Sequence, residues 1–285
     1  MTIIFGLLSA FSYGYADFVG ALAAKRIRAV AATTYSFSVG LVIALILSAF
    51  VGADYSPETI QAGIYAGVCS AVAISCLYAA LALGPISIVS PLTAVVSAVI
   101  PVIVDVLAGQ ELSSFAIVAV VMILIAVVLV GFVPGDKVVL PTLPAFIYSI
   151  GAGLGFSGIF VFLDSTGPDS GLAALVIMRV VGMVLLVGGL TVLWLRAPKQ
   201  QFIERHTDYK LAGLVVLAGI GDVLGNVTFL IATRSGALAI AAVLTSLYPV
   251  GTILLARVFL KERIAASQAV GIVLALAACA VLAAG

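Results

Sequence analysis

The chain has 285 residues, of which 64% are apolar and only 9% charged, with a net charge of +1 and a mean hydropathy of +1.35. Soluble domains carry roughly a quarter charged residues, so a soluble protein is excluded, and the near-neutral balance offers no footing for a nucleic-acid partner. The three cysteines, Cys69, Cys76 and Cys279, sit in apolar stretches and read as packing residues, while the single histidine, His206, reads as a solvated loop residue.

Ten stretches are apolar and long enough to read as membrane spans: 2–21, 31–51, 57–83, 86–107, 114–133, 144–162, 171–195, 211–233, 237–260 and 265–283. No basic run precedes the first, so it reads as a membrane helix rather than a cleaved leader. It carries Ser9, Tyr13 and Asp17 at four-residue steps. The third opens on Ser56-Pro57-Glu58, an N-cap, a first-turn proline and an acid facing the helix dipole. Tyr78 lies near its far end, and Gly84-Pro85 makes a tight break into the fourth span. The fourth shows Ser87, Ser90, Ser97 and Pro101 on one face, and the fifth has no polar side chain after Ser114.

The proline-rich stretch 134–143 divides the chain into halves, 1–133 and 144–285, of five spans each. Span six carries the small-residue pattern Gly151-x-x-x-Gly155 followed by Phe156, and span seven holds Arg179. Span eight aligns Asp222, Asn226, Phe229 and Thr233; span nine aligns Thr245, Tyr248 and Thr252. Pro91, Pro101 and Pro249 each free a helix carbonyl and are expected to kink their spans.

The two halves share a pattern. Gly84–Glu111 and Ser235–Glu262 align without a gap, each a small-residue turn, a proline-bearing apolar helix and a closing glutamate. Such self-similarity points to two structural repeats with a substrate site between them. Five spans per repeat is an odd number, so a second copy of the same fold must be inserted upside down. The loop charges agree: Lys25, Arg26 and Arg28 in the first loop match Asp164 and Asp169 in its counterpart. Summed over the chain, Lys and Arg gather on one side and only Arg234 falls on the other. That side is expected to be cytoplasmic, with both termini outside.

Tyr78-x-x-Leu81-x-x-Gly84-Pro85, Gly109-Gln110-Glu111-Leu112-Ser113, Leu247-Tyr248-Pro249 and Lys261-Glu262-Arg263 resemble the repeat of EamA-type proteins, the ten-helix branch of the drug/metabolite transporter superfamily. Ser12-Tyr13-Gly14 sits where that family has an aromatic–glycine pair. The resemblance covers essentially the whole chain. It implies a helical basket around a central cavity, with spans five and ten at the periphery. The fold class expected is therefore all-α integral membrane, ten transmembrane helices as two inverted five-helix repeats. The family also implies exporters of amino acids and other small metabolites, with relatives that carry sugars.

At about 1.5 Å per residue, Tyr13, Ser97, Phe156, Asp222 and Tyr248 fall near the middle of a ~30 Å hydrocarbon core. Small polar residues at such depths commonly serve helix packing, whereas a mid-depth tyrosine is not explained by interfacial anchoring. Charges are the sharper signal, because each costs ~2.5–3.5 kcal/mol at the membrane centre. Asp17, Asp105, Arg179 and Asp222 qualify, although for Asp105, near the outer end of its span, simple hydration is an alternative. Arg179 and Asp222 lie at equal depth and could form either a structural ion pair or a zwitterion site, Arg179 meeting a carboxylate and Asp222 an ammonium.

The candidate site is Tyr13, Asp17, Tyr78, Ser97, Phe156, Arg179, Asp222, Asn226 and Tyr248. The expected function is secondary transport in a bacterial inner membrane, most simply export of apolar or aromatic amino acids. Multidrug transport, a passive channel and a membrane enzyme are the alternatives. No span carries a metal-binding or nucleophile–base pattern, so no cofactor or metal is expected. The expected partners are a small-molecule substrate and the bilayer, and a monomer suffices.

Overall fold

The computed structural model describes residues 1–24, 27, 29–83, 86–131, 142–196, 209–259, 261 and 265–284. These form α1 (Thr2–Ala24), α2 (Ala29–Val51), α3 (Pro57–Leu83), α4 (Ile86–Leu107), α5 (Ser114–Gly131), α6 (Leu143–Asp164), α7 (Ala173–Arg196), α8 (Tyr209–Thr233), α9 (Leu238–Thr245), α10 (Tyr248–Phe259) and α11 (Ala266–Ala284). A short 3-10 turn, Pro168–Ser170, lies between α6 and α7. Where start signals were read, they act as caps: the Thr59 N–H donates to Ser56 Oγ at 3.2 Å. Thr142 caps α6 in the same way, with Pro144 in its first turn.

Among the described residues, seven stretches are long and apolar enough to cross a membrane. Those at Pro91–Leu107, Ser114–Val130 and Ala266–Leu282 are shorter. The membrane-type helical bundle is therefore as expected. Span nine is also interrupted. Pro249 cannot donate to the Thr245 carbonyl, the Leu247 N–H turns back to the Leu244 carbonyl at 3.1 Å, and the helix restarts at Tyr248. A kink was expected from Pro249; a break between two helices is what forms. Pro91 and Pro101 remain inside a continuous α4.

The helix pairings repeat between the chain halves. α3 packs along α6 as α8 packs along α1; α4 lies on α6 as α9 and α10 lie on α1; α3 meets α7 as α8 meets α2. α5 and α11 pair with each other, and α5 lies against α4 and α9. Lipid tails are as apolar as leucine side chains, so close backbone approach rather than hydrophobicity drives these contacts. Glycines supply it. A Cβ on Gly14 would lie 2.9 Å from the Thr252 nitrogen on α10, and one on Gly155 would lie 2.7 Å from the Ala73 backbone on α3. The cysteines take part as packing groups: Cys76 faces Gly151 and Cys69 faces Gly158, and all three are free thiols. Large apolar side chains such as Phe11, Ile125, Val128 and Val273 are left exposed outside, where a bilayer would cover them.

Candidate functional site

The site begins with the glycines of α8. Gly219 lets α2 approach, a Cβ there meeting the Ser36 carbonyl at 2.7 Å. Gly221 and Gly225 do the same for α1, which lays Ser12, Tyr13 and Tyr15 against them. Asp222 lies between these two glycines, held where α1, α2 and α8 converge. From α7, Arg179 enters the same space. It is completely buried, while Asp222 is 27% exposed, and the Arg179 Nη1 pairs with Asp222 Oδ2.

Two residues of α2 complete the seat of Arg179. Its guanidinium carbon stands 4.6 Å from the Phe37 ring centroid, a cation–π contact. Gly40 leaves room for Nη1, which would be 3.3 Å from a Cβ there. Sequence reasoning missed both. The signal was available in principle: a buried cation needs several partners, and α2 offers one aromatic ring within a turn of a glycine. The Nε and Nη2 of Arg179 have no hydrogen-bond partner among the described residues. In a dry interior an unspent guanidinium donor is costly, so Arg179 retains capacity for a further acceptor.

The remaining candidates divide into two groups. Tyr13 and Asp17 lie in the electrostatic field of Asp222, and Tyr13 also in that of Arg179, so α1, α7 and α8 bring these four residues together. Asp17 is exposed and Tyr13 half-buried. The cluster holds two carboxylates and one guanidinium. Tyr248 stands half-buried at the start of α10, on the side of the bundle where Thr252 Oγ1 donates to the Gly14 carbonyl at 3.1 Å. Phe156 packs on the core cluster that contains Phe160, whose ring stacks on Phe229 at 4.3 Å between centroids.

Ser97 and Asn226 have other occupations. Ser97 is buried and donates to its own helix at the Ala94 carbonyl, 2.9 Å away. Asn226 is buried and its Nδ2 donates to the Asp222 carbonyl at 2.8 Å. Both are small polar groups satisfied by the nearest backbone carbonyl. Tyr78 belongs to α3, and its side chain lies outside the described residues, as do Glu262 and His206. Of the two readings of Asp105, hydration is the one the structure excludes: it is buried and accepts the Ala239 N–H at 2.7 Å, capping α9 from a distant helix.

A family model described as the EamA-like transporter family matches residues 1–132 and 143–284. No curated protein matches the chain. Among 27 matching solved chains, one crystal structure superposes with a TM-score of 0.81 at 15% identity, covering 99% of this chain and 96% of that one. At that identity the likeness shows the fold alone.

Proposed function

Since the chain belongs to the EamA-like transporter family, we propose that it is a secondary transporter that exports amino acids, with apolar or aromatic side chains favoured. The observation that carries this reading is the Arg179–Asp222 pair, which places opposite charges side by side within the apolar bundle. A zwitterion presents the complementary pair. Its carboxylate is suited to the unspent donors of Arg179, and its ammonium to the partly exposed carboxylate of Asp222. Tyr13, Phe156 and Tyr248 would receive an apolar or aromatic side chain.

Transport would proceed by alternating access between two inverted repeats, 1–133 and 144–285, around a central cavity. The recurrence of the largest helix pairings on exchange of the halves, α3–α6 as α8–α1 and α3–α7 as α8–α2, supports this, because two similar halves can trade conformations and so open the site to the opposite side. Within a bacterial inner membrane, the bias of Lys and Arg favours both termini outside. The test is uptake by purified protein in liposomes, screened over the amino acids with and without a pH gradient. Saturable transport of leucine or phenylalanine is expected; transport of organic cations with none of amino acids would refute the substrate class.

A further inference from the structure

The glycines between helices divide the bundle in a way that the repeats do not. α3 lies along α6 and α7, and α4 along α6; α1 lies along α8, α9 and α10, and α2 along α8. Each of these two groups takes helices from both repeats. Within a group the helices meet backbone to backbone. A Cβ on Gly67 of α3 would stand 3.0 Å from the Met178 carbonyl of α7, and one on Gly153 of α6 would stand 2.9 Å from the Thr93 carbonyl of α4. In the other group, a Cβ on Gly221 of α8 would stand 3.1 Å from the Ser12 carbonyl of α1. Among the described residues, and leaving aside the α5–α11 pair, every helical glycine this close to another helix's backbone faces a helix of its own group. Polar contacts follow the same division: Ser157 Oγ donates to the Val96 carbonyl at 3.2 Å, and Ser9 Oγ to the Gly225 carbonyl at 2.9 Å.

Between the groups, helices meet their own counterparts from the other repeat: α2 meets α7, and α4 meets α9. Contacts of this kind lie on the axis that relates two similar units, so they mark the interface of those units. Each polar contact across it involves a side chain. Arg179 of α7 faces Asp222 of α8 and Phe37 of α2, and Ser38 Oγ of α2 donates to Met183 Sδ of α7 at 3.7 Å. Asp105 of α4 accepts the Ala239 N–H of α9. Outside the helices, at the end where the chain starts, the loop after α2 is bridged to the segment before α7 at Ala53 and Gly171. Arg234, after α8, donates to the same segment at the Gly171 carbonyl.

We propose that the bodies that move in transport are these two mixed bundles, one of α1, α2, α8, α9 and α10 and the other of α3, α4, α6 and α7, and not the two repeats. The proposal rests on the transport reading above and deepens it. Exchange of the repeats carries α1, α2, α8 and α9 onto α6, α7, α3 and α4, so one bundle replaces the other and two similar bodies still trade conformations. The reason is mechanical. Backbones in direct contact at glycine have no side chain between them to change rotamer, so they resist sliding, whereas a seam of side chains can re-pair. Rocking repeat on repeat would part α3 from α6 and α8 from α1, the glycine contacts included; rocking bundle on bundle leaves them whole. Arg179 and Asp222 then stand on opposite bodies. A substrate held by both would touch both, which is what lets its binding bias their relative position.

Two spin-label pairs, with Cys69, Cys76 and Cys279 replaced by alanine, separate the alternatives. Glu58→Cys with Ser165→Cys joins different repeats within one bundle, whereas Ser165→Cys with Ser235→Cys joins different bundles within one repeat. All three positions are exposed. Distances in liposomes, with and without leucine, should stay single for the first pair and split into a short and a long population for the second. A first pair that splits, or a second that does not, overturns the proposal. A disulfide gives a second measurement. A Cβ on Gly151 of α6 would stand 3.7 Å from the Cys76 Cβ of α3, inside the roughly 3.5–4.5 Å that a disulfide spans. Gly151→Cys with the native Cys76, Cys69 and Cys279 being alanine, fastens the two repeats together within one bundle. The oxidised protein should transport leucine within about twofold of the reduced one; transport lost on oxidation and restored by reduction overturns the proposal. If the reduced protein transports no amino acid, the substrate reading fails, while the label distances still decide which bodies move.

Discussion

Replacing Asp222 by asparagine removes the only counter-charge that the described residues place on a fully buried guanidinium. Breaking a buried ion pair by removing one partner costs about 3–5 kcal/mol, because the other charge is left uncompensated. Asp222 is 27% exposed, so water screens the pair in part and the lower end of the range applies. Phe37 continues to face the guanidinium and offsets a further fraction, about 1 kcal/mol. A net loss of roughly 2–3 kcal/mol should lower the melting temperature by about 5–10 °C. Transport of labelled leucine or phenylalanine into liposomes, measured on the same preparation, should fall to background.

The double variant Arg179→Leu with Asp222→Leu separates structure from function. It removes both charges together, so stability should return to within about 1 kcal/mol of the parent or exceed it, while transport stays absent. If Asp222→Asn melts and transports like the parent, the pair has no role in either property. A double variant that regains transport would leave the pair as a purely structural joint between α7 and α8.

Other outcomes follow from the same geometry. Gly14→Ala should fail to fold or lose transport, because its Cβ would meet the backbone of Tyr248 and Thr252 on α10, which cannot rotate away; the yield of monodisperse protein checks this. Asp105→Ala should cost about 1 kcal/mol of stability through loss of the α9 cap yet leave the apparent affinity for transported amino acid unchanged. A reporter fused after Gly285 should be periplasmic and one placed near Lys199 cytoplasmic if the proposed span order, which puts nearly all loop Lys and Arg on one side, is right; a cytoplasmic C-terminus would contradict the orientation.

The span positions were legible in the sequence because they depend on quantities local to the chain. Apolar run length, the Ser56 cap and breaks such as Ser235-Gly236 act within a few residues of themselves. Depth was legible for a related reason: helical rise is constant, so Arg179 and Asp222 could be set at one level before any contact was known. What the sequence by itself could not determine is azimuth, the direction each side chain takes around its helix relative to the neighbours. Azimuth decides that Phe37 covers Arg179, that Asp105 turns inward to cap α9, and that Ser97 and Asn226 spend their donors on nearby carbonyls. It also decides that Arg234 closes on a loop more than sixty residues away in the chain. The continuity of span nine was equally undetermined, since a proline alone permits either the continuous helix seen in α4 or the break seen before Tyr248. Glycine contacts between helices set how closely neighbours approach, and that distance depends on residues from two different helices at once.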